Sequence, residues 1–194
     1  MDIISHGLWG GVAFGRRSKK SFWLSFLFGI LPDLLAFGPF FILIFLGFAA
    51  RPNFSTEPPV PDSIPQFVYH VYNVSHSLFV FVLLFGLFWL FLKRPLWEFS
   101  AWGLHILMDI PTHSYKFFPT PFLWPFSHFE VNGHPWASPE IFIPDVLLLI
   151  ILYTRFFVIN PPTFPWSVKR SRKDLKLPLI PAAKSRVIRE GGGG

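Results

Sequence analysis

His105, Asp109 and His113 recur every four residues in the stretch 104–113. On a helix that spacing puts the three side chains on one face, one turn apart. Two imidazoles and a carboxylate so placed are a ready set of ligands for a divalent metal. Pro111 lies among them. A proline can instead end the helix early, which would leave His113 in a loop and Asp109 as a local cap. His6, Asp33, His76 and Asp145 stand in the other apolar stretches of the chain. Ionisable groups at membrane depth are costly and mark functional positions.

With no cysteine in the 194 residues, any metal site must be built from His, Asp or Glu. Three histidines with two carboxylates suit Zn²⁺ best, with Mn²⁺ and Fe²⁺ compatible. An open metal site lowers the pKa of bound water and polarises a phosphoryl or acyl oxygen, which is hydrolase chemistry. If four ligands hold the ion, a spare group is free to act as general base. Asp109 and His113 are the catalytic candidates, His113 either as a further ligand or as a proton shuttle at the pocket mouth. Serine chemistry is unsupported: there is no G-x-S-x-G turn, and Ser77 beside His76 would not face it on a helix. No glycine-rich phosphate loop is present. His70, His128 and His134 read as interfacial loop residues.

The elements that must position these groups are membrane-like. About half the chain is hydrophobic, with 26 Phe and 8 Trp, and only 14% is charged, against roughly 25% in soluble domains. The mean hydropathy is +0.46. The pattern predicts an all-α, polytopic helical bundle. Residues 1–15 form a short apolar helix, re-entrant or membrane-embedded, without a signal-peptide cleavage site. Four spans follow at 22–48, 72–92, 97–115 and 141–159. The first is interrupted by Pro32-Asp33 and Pro39 and is expected to be a broken helix lining a polar cavity. The second is expected to run uninterrupted. Residues 51–65 form a proline-rich loop and 116–140 an aromatic one suited to a membrane interface. The membrane-embedded domain takes in 1–160, a basic tail 161–190, and 191–194 is a glycine linker.

The net charge of +6 is unevenly spread. Basic residues cluster at 16–20, at 93–94, at Arg155 and at eight positions between Lys169 and Arg189. With those segments inside, 15 of the 17 basic residues are cytoplasmic, as the positive-inside rule arranges them. The expectation is a multi-pass protein of the plasma (inner) membrane with a cytoplasmic C-terminal tail. The tail lacks aromatic interleaving and any reading motif, so its expected partner is anionic lipid headgroups rather than nucleic acid. Counted from the basic turns by helical rise, His6, Asp33, His76, His105, Asp109 and Asp145 lie about 15–25 Å up in a hydrocarbon core about 30 Å thick. Either each is satisfied separately, or they converge on one metal or one water-filled pocket.

Ser5-His6-Gly7-Leu8-Trp9-Gly10, Gly29-Ile30-Leu31-Pro32-Asp33, Ser75-His76-Ser77-Leu78 and His105-Ile106-Leu107-Met108-Asp109, in that order, resemble the YdjM-like inner-membrane proteins, a family of metal-dependent hydrolases. The His and Pro-Asp elements are also similar to those of zinc-dependent phospholipase C. The resemblance covers about residues 1–160. It implies a metal held by His6, Asp33, His76, His105 and Asp109. Leu34 and Leu35 stand where family members carry a second acidic residue, so one metal is implied rather than two. Val71 follows His70 where members carry a His-Arg pair, so no anion-binding arginine is implied. The leading expectation is hydrolysis of an ester or phosphoester of a lipid or other amphipathic substrate. The competing one is a non-enzymatic scaffold with a structural metal and a partner-binding tail. A third is an ion or proton pathway, which four spans would form only as an oligomer.

Overall fold

The computed structural model describes residues 1–52 and 64–159. The expected tail and glycine linker, and most of the proline-rich loop, lie outside the described residues. Among the described residues the fold is all-helical, with one isolated β-bridge between Ser114 and Phe117.

Helix α1 (Ile3–Phe14) begins where Asp2 caps it, accepting from the amides of Ile4 and Ser5 at 3.0 Å each. Its 12 residues reach about 18 Å, too short to cross. A methyl at Gly10 would strike the Ser25 carbonyl of α2, so the backbones approach closely there, while Gly7 and Gly11 make room for the side chains of Phe26, Ile30 and Phe22.

Helix α2 (Lys19–Phe45) starts at the Ser18 cap and runs unbroken for 27 residues through Pro32 and Pro39. The expected break is therefore absent. A proline removes one backbone donor and crowds the preceding turn, but within a bundle a neighbouring helix can satisfy what it frees. The carbonyl that Pro32 leaves without its helical donor is that of Phe28, four residues back; the next carbonyl, Gly29, accepts from His105 Nδ1 at 2.7 Å, so α5 docks on this turn.

The second expected span is corrected in the opposite sense. Helix α3 (Gln66–Ser75) and helix α4 (Leu78–Leu92) meet at a 58° bend, so 72–92 is not continuous. Ser77 starts the new helix, its Oγ accepting from the Val80 amide at 3.2 Å. Irregular backbone buried in a membrane needs protein partners, and it has them. Trp102 Nε1 donates to the Ser75 carbonyl at 2.7 Å, the Leu78 amide to Phe122 at 3.0 Å, and Ser77 Oγ to Trp124. Helix α4 itself is apolar throughout and buries none of its residues.

A short 3-10 turn (Trp97–Phe99) leads into helix α5 (Ser100–Thr112). Its 13 residues span about 20 Å, short of the roughly 30 Å core, so 97–115 is not a span by length. Pro111 lies inside the last turn and His113 is the first extended residue after it. The amides of Gly133 and His134 close over this end, donating to His113 and Pro111 carbonyls at 2.8 and 2.9 Å. Helix α6 (Pro139–Tyr153) continues in wider turns to Ile159.

Two helices, Lys19–Phe45 and Pro139–Ile159, are long and apolar enough to cross a membrane, three if the bent pair is one span. This fits membrane association; four spans are not present by this measure. Asp145 on α6 holds α1 in place: its carboxylate accepts from Ser5 Oγ at 2.7 Å and from Trp9 Nε1 at 2.6 Å. Asp145 does not belong to the group of ligand atoms that the other polar residues form.

Candidate metal centre

Asp33 from α2, His76 from the α3–α4 bend, and His105 and Asp109 from α5 converge. One ligand atom from each lies within 4.8 Å of the others, and all but Asp33 are buried. His76 Nε2 and His105 Nε2 are 3.0 Å apart. Asp109 Oδ2 stands 3.1 Å from His105 Nε2 and 3.5 Å from His76 Nε2. Asp33 Oδ1 stands 3.4 and 3.8 Å from His76 and His105. This group could hold a metal ion.

The tautomers support that chemistry. His105 Nδ1 faces the Gly29 carbonyl at 2.7 Å, and His76 Nδ1 faces the Tyr72 carbonyl at 3.1 Å. A carbonyl only accepts, so His105 Nδ1 carries the hydrogen; His76 Nδ1 also lies 3.0 Å from Ser75 Oγ, and where it too donates to its carbonyl both neutral rings present a lone pair at Nε2. Two lone pairs then point at each other across 3.0 Å in a buried site. Only a cation between them, metal or proton, makes that arrangement favourable. Ligating histidines fix their ring in this way, donating the other N–H to a carbonyl.

The remaining expected residues gather around Asp109. Its Oδ1 lies 2.9 Å from His6 Nε2 and 3.6 Å from His113 Nε2, and the Met1 amino group stands against the same oxygen. His6 stacks on His105 with ring centroids 3.7 Å apart. Neither of its nitrogens is aligned for a hydrogen bond, and Asp109 Oδ2 also lacks one. Buried polar atoms without hydrogen bonds are rare; Asp109 Oδ2 is one of the candidate ligand atoms, and His6 could offer one nitrogen more. His6 thus sits beside the four-residue group, on the other oxygen of Asp109. The chain is matched by no family model, no curated protein and no solved structure.

His113 has left the helix but stays at the site. Its Nδ1 lies 2.8 Å from the Phe118 carbonyl and 3.0 Å from Tyr72 Oη, so Nδ1 carries the hydrogen and Nε2 faces Asp109. Tyr72 Oη donates to the same carbonyl at 2.9 Å. Phe118 takes a positive φ of 47°, uncommon for an aromatic residue, and that conformation turns its carbonyl to both donors. The Tyr72 ring also stacks on His76 at 3.8 Å. Tyr72 thus touches two site histidines, a role no spacing rule would have singled out. Tyr72→Phe keeps the stacking and loses the hydroxyl. The expected result is about a tenfold fall in any metal-dependent turnover, as for outer partners of metal sites, with metal content unchanged. Equal turnover in both proteins would deny Tyr72 this role.

His70 lies on α3 rather than in a loop, and it, His128 and His134 are exposed. None of the three belongs to the group of ligand atoms. Ser77 serves the backbone as the α4 cap, a role signalled by a serine directly before an apolar run.

Proposed function

We propose that the chain is a membrane-embedded, metal-dependent hydrolase acting on an ester or phosphoester of a lipid or other amphipathic molecule. The observation that carries this reading is the pair of buried Nε2 atoms of His76 and His105 3.0 Å apart, with two carboxylates beside them. Ligands about 2.0–2.1 Å from a tetrahedral ion are about 3.3 Å from one another. Five of the six ligand–ligand distances run from 3.0 to 3.8 Å and the sixth, Asp33 to Asp109, is within 4.8 Å, which is compatible with Zn²⁺. Octahedral Mn²⁺ or Fe²⁺, with adjacent ligands about 3.0 Å apart, also fits the mixed N and O donors. His6 is a fifth ligand in this reading, since both its nitrogens are without hydrogen bonds.

A divalent ion held there would supply Lewis acidity and water that is nucleophilic near neutral pH. The protein's own part is to orient and to move protons. Asp109 divides its oxygens, Oδ2 toward His76 and His105 and Oδ1 toward His6 and His113. His113 Nε2 can take a proton from the reacting group and hold it beside Asp109 Oδ1. Asp33 is the most accessible ligand, its side chain 13% exposed, and marks the substrate's approach. The clustered basic residues support an inner-membrane protein with its tail on the cytoplasmic side, against anionic headgroups.

Metal analysis of protein in nanodiscs, followed by a screen of ester and phosphoester substrates, tests the proposal. About one equivalent of metal is expected, with turnover that chelation and His105→Ala both abolish. Hydrolysis that survives both changes, or protein free of metal, would end it. The count of four protein residues in the group favours a second reading, because a site whose four positions are all filled by protein is structural. In that case chelation unfolds the protein and no substrate is turned over.

A further inference from the structure

A cavity of about 380 Å³ adjoins the metal centre. Asp33 and His113 form part of its wall; among the described residues, Asp2 and Met1, whose amino group stands against Asp109, bring its other ionisable groups. The rest is apolar, with Phe37, Phe41 and Trp136 among the lining. Its polar patch is therefore the edge of the metal centre: Asp33 Oδ1 lies 3.4 Å from His76 Nε2, and His113 Nε2 lies 3.6 Å from Asp109. A molecule that satisfies this cavity must be apolar along its length and polar at one end.

We infer that the cavity holds a single acyl or alkyl chain of the substrate, with the scissile group at Asp33 and His113. This assignment rests on the hydrolase reading only for which end of the molecule reacts. At about 30 Å³ per heavy atom, the share of a water molecule in the liquid, the cavity takes on the order of a dozen carbons. Gly38 lines it, and a methyl added there meets no atom within 4 Å. The missing side chain is what leaves the room. Leu31 precedes Pro32 in the same helix, so α2 accepts a leucine in front of a proline. Gly86 on α4 is equally open but does not line the cavity.

The test is retention of dodecylphosphonate and of methylphosphonate by metal-loaded protein, read by native mass spectrometry, in wild type, Gly38→Leu and Gly86→Leu. Wild type and Gly86→Leu retain one dodecylphosphonate, and Gly38→Leu retains it at least tenfold less. Methylphosphonate, which needs no cavity, binds all three alike. In parallel, Gly38→Leu loses turnover of lauroyl esters at least tenfold while acetyl esters are unaffected. Undiminished retention of the long chain by Gly38→Leu, or none by wild type, would overturn the assignment. Retention in the expected pattern, with no ester or phosphoester hydrolysed, upholds the chain cavity and defeats the hydrolase reading instead.

Discussion

Asp109→Ala is expected to abolish metal binding, with affinity lowered at least about 100-fold. Outer-shell partners of a metal site are already worth 10–100-fold, and Asp109 is closer than that. It is fully buried and meets all four histidines: His105 at 3.1 Å and His76 at 3.5 Å through one oxygen, His6 at 2.9 Å and His113 at 3.6 Å through the other. Removing it takes away the negative charge that favours any cation among the imidazoles. Asp109→Asn keeps the shape and loses the charge, so it too should bind poorly. Asp145→Ala is the control, since Asp145 is spent on Ser5 and Trp9. It should keep its metal while losing stability. Titration of apo protein with zinc, followed by elemental analysis, checks the set. One equivalent retained by Asp109→Ala would show that the four-residue group is not where the ion binds.

The second large effect concerns a methyl group. Gly29→Ala places a Cβ 2.5 Å from the His6 carbonyl oxygen and 3.1 Å from Gly7 Cα. These are backbone atoms of α1, and no side chain can swing aside to relieve them. Helix α1 must move off α2, taking His6 with it, or α2 must shift and pull the Gly29 carbonyl from His105 Nδ1. Overpacking of this kind costs about 1–3 kcal/mol. Disturbing the carbonyl that orients His105 should weaken metal binding by a further tenfold or so. Gly86→Ala adds the same methyl to open space and should leave stability unchanged or slightly raised. Thermal unfolding of the two variants side by side decides it. Equal melting temperatures would mean that the α1–α2 contact is looser than its geometry.

The sequence made the His105–Asp109 pair legible because both lie on one helix, where spacing alone sets the face. Asp33, His76 and His6 were legible only as heights in a membrane. Height leaves the direction around each helix axis open, and Asp145 shows the consequence. It lies in the same band, yet its carboxylate is taken up by Ser5 and Trp9. The bend at 75–77 was hidden because the chain is apolar on both sides of it, so hydropathy sees one long run. Its partners, Trp102, Phe122 and Trp124, are 20 or more positions away in sequence. Pro32 misled for the reverse reason. A proline reads as a break when its helix is considered alone, and here α5 packs on the turn before it, with His105 Nδ1 on the Gly29 carbonyl. The short α5 was overestimated because flanking aromatic residues on both sides prolong its apolar pattern.

The four residues of the candidate centre are also made at three separate moments of synthesis. Asp33 is made first, His76 more than forty residues later, and the His105–Asp109 pair last. Until α5 arrives, the earlier two are polar groups without their partners, each disfavoured at the bilayer centre by about 2.5–3.5 kcal/mol for a carboxylate. The growing chain therefore has reason to keep α2 and α3 near the headgroups, or under the care of the insertion machinery. Helix α5 then acts as the closing piece that completes the group.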